Sequence, residues 1–83
     1  MNDNDINKLL DPILSDENIW AHEPNFTIAK FELYDHLRLQ GCSREDALIV
    51  IEELYNRWVP MIKKYHNELY GPVKADSIRV ILN

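Results

Sequence analysis

Residues 43–71, SREDALIVIEELYNRWVPMIKKYHNELYG, decide the fold. Ser43 followed by Asp46 is a variant of the capping box: the hydroxyl accepts an orphan amide hydrogen bond, and acids favour the positive end of a helix. From there Ala47, Ile51, Leu54, Trp58, Ile62, Tyr65 and Leu69 recur at spacings of three and four, one face of a helix. Tyr70-Gly71-Pro72 supplies the stop.

Pro60 lies inside this pattern, where it removes one backbone donor and crowds the preceding turn. The sequence therefore predicts a kink or break near residues 56–60. Size gives the same expectation. An unbroken helix of this span is roughly 40 Å long, whereas a compact chain of this size is about 30 Å across. The helix must bend or protrude into a partner.

Residues 47–51, ALIVI, are apolar on every side of a helix, more than one stripe requires. They are expected at the centre of the core. Leu48 and Ile49, with Tyr55 and Val59 further along, form surplus faces to be covered by the N-terminal helix, the C-terminal segment or another subunit.

Upstream, Phe31, Tyr34 and Leu37, with Leu33 beside them, continue the helical spacing from Ile28 to Gly41, and Thr27 is a candidate cap. A helix over 27–40 and the long helix thus make an antiparallel hairpin around Gly41. Residues 15–26, SDENIWAHEPNF, read as a loop or single turn anchored by Ile19, Trp20 and Phe26. Residues 4–14 place Ile6, Leu9, Leu10, Ile13 and Leu14 on one face of a short amphipathic helix, with Pro12 in its last turn. The end, Ser77 to Leu82, is β-branched and partly alternating, as in a strand that would pair with its copy or with a target's edge. Asp76 could equally cap a short helix there. The expected architecture is a single, mainly α domain: an acidic N-terminal helix and loop (1–26), a helical hairpin (27–70) and a tail (71–83).

At 83 residues, 46% hydrophobic and 28% charged, the chain has the composition of a small globular domain. A domain this size buries roughly 60% of its unfolded surface, which leaves it marginal as a monomer. The net charge of −5 is unevenly placed. Residues 1–27 carry Asp3, Asp5, Asp11, Asp16, Glu17 and Glu23 against Lys8 alone, so the remainder is neutral. That distribution argues against a nucleic-acid footprint, which needs clustered Lys and Arg, and suits a partner with a basic surface.

One cysteine, Cys42, excludes an intramolecular disulfide and a four-cysteine zinc site, and points to a reducing, cytoplasmic compartment. The start, MNDNDINKLLDPIL, has neither a basic region nor a long apolar run, so no signal peptide or membrane segment is expected.

Each candidate for chemistry meets a simpler account. Cys42 precedes a helix N-terminus, which favours a thiolate, but His36 is the one nearby base and no third member or oxyanion hole is visible. His22 with Glu23, Asp35 with His36, and His66 with Glu68 lack the i, i+4 histidine pair of a metal helix. Asp3, Asp5 and Asn7 match alternate positions of a calcium loop, yet Lys8 stands where glycine is needed and Leu14 where the bidentate glutamate belongs. Glu52 and Glu53 read as a solvated face, with Glu53 four residues before Arg57. Trp58 and Tyr65, close to Arg57, Lys63 and Lys64, fall on the apolar stripe rather than on a strand-binding surface.

LRLQGCSREDALIV, residues 37–50, can be laid on a helix-turn-helix, but its second helix opens Arg44-Glu45-Asp46, whose carboxylates would repel phosphates. The expected function is therefore a non-enzymatic protein-binding module without cofactor or metal. An inhibitor, antitoxin, immunity or mobile-element counter-defence protein blocking a larger partner has this size and charge. The alternatives are a DNA-binding regulator using Lys30, Arg38 and Arg44, and a small cysteine-dependent enzyme. Candidate partner contacts are Asp3, Asp5, Asp11, Asp16, Glu17, Trp20, Tyr55, Val59 and Arg79, with a second copy of the chain as a further partner.

Overall fold

The computed structural model describes residues 2–71, which form four helices and, among the described residues, no strand. They are α1 (Asp3–Leu14), α2 (Glu17–Trp20), α3 (Glu23–Leu39) and α4 (Arg44–Tyr70). The strand-or-helix reading of 76–82, and Arg79 with it, lie outside the described residues.

Every helix start has a local chemical cause. Asn2 Oδ1 accepts from the Asp5 amide at 2.9 Å, and Asp3 and Asp5 occupy the first turn of α1. Asp16 Oδ1 accepts from the Asn18 amide at 3.0 Å and opens α2. Ser43 Oγ accepts from the Asp46 amide at 3.1 Å, the cap expected for α4. Pro12 is accommodated inside α1.

Residues 15–26 are more helical than their polarity suggests. α2 supplies a full turn, and α3 begins at Glu23 rather than after Thr27. Pro24 sits in the first turn of α3, where its missing N–H would have had no helical partner. The N-cap is His22, whose side chain makes no capping bond. Asn25 Nδ2 donates to the Asn18 carbonyl at 2.9 Å, which ties α3 to α2 without capping it.

At the other end of α3, the Cys42 amide donates to the Leu37 carbonyl at 3.0 Å and the Gly41 amide to the Arg38 carbonyl at 3.1 Å. This is a Schellman closure, and it requires the left-handed backbone of Gly41, at φ 90°. The chain reverses here into α4, as the glycine predicted.

The buried core is Leu10 and Ile13 of α1, Phe26, Leu33 and Leu37 of α3, and Ala47, Val50 and Leu54 of α4. Burial of each large member contributes about 1.5–3 kcal/mol. The helical stripes are rotated from their expected positions. On α4, Val50 lies inside, Ile51 and Trp58 are half-buried, and Leu69 is exposed. On α3, Phe26, Leu33 and Leu37 face inward at spacings of seven and four, which turns Phe31 outward.

No break occurs at residues 56–60, and α4 runs through Pro60 to Tyr70. The described residues measure 51 × 23 × 22 Å, with a radius of gyration of 15.9 Å against about 12 Å for a compact chain of this size. α4 extends beyond the other described helices at its Tyr70 end. Its last turn, from Asn67 to Tyr70, is exposed.

Candidate protein-binding face

Three side chains on α4 tie it to the other helices. Trp58 stacks on Phe26, with ring centroids 4.4 Å apart and planes 11° from parallel. Its indole Nε1 donates to the Trp20 carbonyl at 2.7 Å. Tyr65 receives the edge of Trp20 at 5.4 Å, and Arg57 bonds both Glu53 (2.9 Å) and Asn7 of α1 (2.6 Å). Trp20 is thus half-buried against α4, and Arg57 is engaged within the fold.

Beside this layer, α3 and α4 present an open groove of about 470 Å³. Its floor and walls are Phe31 and Tyr34 of α3 with Leu48 and Ile51 of α4; Lys30, Asp35 and Arg44 stand on its rim. Phe31 is 60% exposed, Leu48 48% and Tyr55, one turn beyond Ile51, 44%. The Lys30 ammonium lies 5.1 Å from the Phe31 ring and 5.5 Å from the Tyr55 ring, so it bridges the two helices across their aromatic surface. Val59 and Ile62, half-buried, continue the same side of α4. Ile49 is also exposed, at 57%, but projects from the opposite side of the helix.

The ALIVI segment is therefore split: Ala47 and Val50 enter the core, Ile51 borders it, and Leu48 and Ile49 stay outside. The described part of α1 does not cover Leu48 or Tyr55, contrary to one of the expected solutions. α1 packs on the far side, where Asn7 reaches Arg57.

The acidic residues have a partly structural explanation. Asp3 and Asp5 lie in the first turn of α1, Asp16 caps α2 and Glu17 begins it, positions where carboxylates stabilise helix termini. Asp11 is exposed on α1 without such a role. All five are solvated.

A larger depression of about 630 Å³, lined by Glu17, Asn18, Ala21, His22, Asn25 and Tyr65, is open and mostly polar. No group of three or more potential metal ligands occurs among the described residues. Cys42 is a half-buried free thiol in the α3–α4 turn, and the Arg38 guanidinium donates to its backbone carbonyl at 3.2 Å. No described helix is long and apolar enough to cross a membrane.

The sequence singled out Tyr55 and Val59 but missed Phe31, Leu48 and Ile51 as one surface. Leu48 was visible as surplus. Phe31 was hidden because its spacing from Tyr34 and Leu37 is that of a core stripe. No protein-family model matches the chain, and no curated protein or solved structure is significantly similar to it.

Proposed function

We propose that this protein is a non-enzymatic protein-binding module that uses the α3/α4 face to hold, and thereby block, a larger partner. The observation that carries the reading is the continuous apolar surface of Phe31, Leu48, Ile51 and Tyr55 between two helices anchored by the Trp58–Phe26 stack. Exposed apolar patches of this kind on a small domain mark interaction sites. Inhibitors, antitoxins, immunity proteins and counter-defence factors are the functional types that suit such a chain. Asp11 and the helix-start acids would add attraction for a basic rim on the partner, and the single thiol suits a reducing, cytoplasmic setting.

Affinity capture from cell extract, with the bound proteins identified by mass, tests this reading. Wild type should retain a partner that Leu48→Lys loses. A variant carrying Asp3→Asn, Asp5→Asn, Asp11→Asn, Asp16→Asn and Glu17→Gln keeps the cap acceptors and should retain the partner less well at low salt. Identical capture by wild type and Leu48→Lys would overturn the assignment of this face.

A further inference from the structure

The rim of the α3/α4 face carries both signs of charge on both helices. Lys30 and Asp35 stand on α3; Arg44 lies on α4, and Glu52 follows Leu48 by four residues and precedes Tyr55 by three, on an adjoining ridge. Among the described residues the one ion pair is Arg57–Glu53, so the two rim cations and Asp35 are unpaired there. We propose that a second copy of this chain occupies the face, in a two-fold dimer, when no larger partner holds it; this rests on the protein-binding reading above.

A two-fold axis lying in the interface, parallel to the helices, sets α3 of one copy on α4 of the other at the same level. Asp35 and Arg44 border the same groove, so each Asp35 meets the Arg44 of the second copy, twice by symmetry. Lys30 is level with Tyr55, as its contact with that ring requires, and Glu52 is one turn away. Lys30 therefore comes within reach of Glu52 across the interface. The centre is then Phe31, Tyr34, Leu48, Ile51 and Tyr55 of both copies, in the layered manner of a four-helix bundle. A rim of one sign would repel its own copy; this mixed rim is self-complementary.

The area sets the size class of the contact. α3 has 17 residues and is about 25 Å long. Two helices with axes about 10 Å apart present roughly 20 Å of width, hence on the order of 500 Å² per copy. Twice that area is at the lower end of specific interfaces, the size class of weak, transient contacts. The dimer is thus exchangeable, and a larger partner using the same face would compete with it.

Light scattering on the full chain, at concentrations from about 1 μM to 1 mM, tests the proposal. Mass should rise from 9.8 kDa towards twice that value. Leu48→Lys should stay monomeric, with its helical circular dichroism intact because Leu48 lies outside the core. Arg44→Asp should weaken the dimer about tenfold, and adding Asp35→Arg to it should restore assembly by exchanging the paired charges. A wild type that is monomeric throughout, a dimer indifferent to Leu48→Lys, or a charge exchange without rescue would each overturn the proposal. If wild type is monomeric yet Leu48→Lys still loses a captured partner, the protein-binding reading stands and the second copy is excluded.

Discussion

Trp58 is the residue on which the most structure converges. It stacks on Phe26, touches Tyr55 edge-on at 5.4 Å, and spends its one polar hydrogen on the Trp20 carbonyl. The bond matters because Trp20 closes α2, where carbonyls lack helical partners. Trp58→Phe keeps an aromatic ring and removes that donor, so it should lower stability by about 1–2 kcal/mol in urea unfolding. A smaller loss than about 0.3 kcal/mol would mean that the Trp20 carbonyl finds water instead. The acids illustrate a different point at this scale. Asp3, Asp5, Asp16 and Glu17, candidate partner contacts in the sequence, each also have a place at a helix start.

At the level of elements, the long helix was legible because its signals agree: Ser43 caps it, Gly41 releases it from α3, and Gly71 ends it at φ 76°. Pro60 was the one dissenting signal. α4 continues through it, so the lost donor and crowded turn are borne within an otherwise continuous helix. Pro60→Ala restores an amide able to bond the Asn56 carbonyl, and should stabilise the chain by about 1–3 kcal/mol while slowing amide exchange over residues 60–70. Unchanged exchange there would show that fraying from the Tyr70 end, not Pro60, sets the stability of this stretch. The start of α3 was misplaced for an opposite reason. Pro24 reads as a breaker in sequence, yet in a first turn it fits a helix already forming.

For the molecule as a whole, the decisive property is that apolar residues outnumber the places inside. Eight side chains fill the core, while Ile28, Phe31, Leu48, Ile49 and Tyr55 remain substantially exposed. A small domain cannot enclose such a surplus, because its surface is large for its volume. The protrusion of α4 has the same origin: nothing among the described elements is long enough to lie along its whole length. Small-angle scattering from the Leu48→Lys variant should therefore give a radius of gyration well above the compact limit, the described residues alone having 15.9 Å. A value close to the compact limit of about 12 Å would mean that α4 folds back at Pro60.

Composition, caps and periodicity by themselves determined a mainly α chain, the hairpin at Gly41 and the α1 and α4 helices. These follow from interactions a few residues apart, and local sequence specifies them. Which side of each helix faces inward was decided only by tertiary packing. In α3 both the Phe31–Tyr34–Leu37 set and the Phe26–Leu33–Leu37 set satisfy helical spacing, and α1, α2 and α4 select the second by burying it. That choice turns Phe31 towards Leu48, seventeen residues away in sequence but on another helix, and so creates the face. A surface assembled from two helices depends on their mutual rotation, and no single periodic pattern contains that angle.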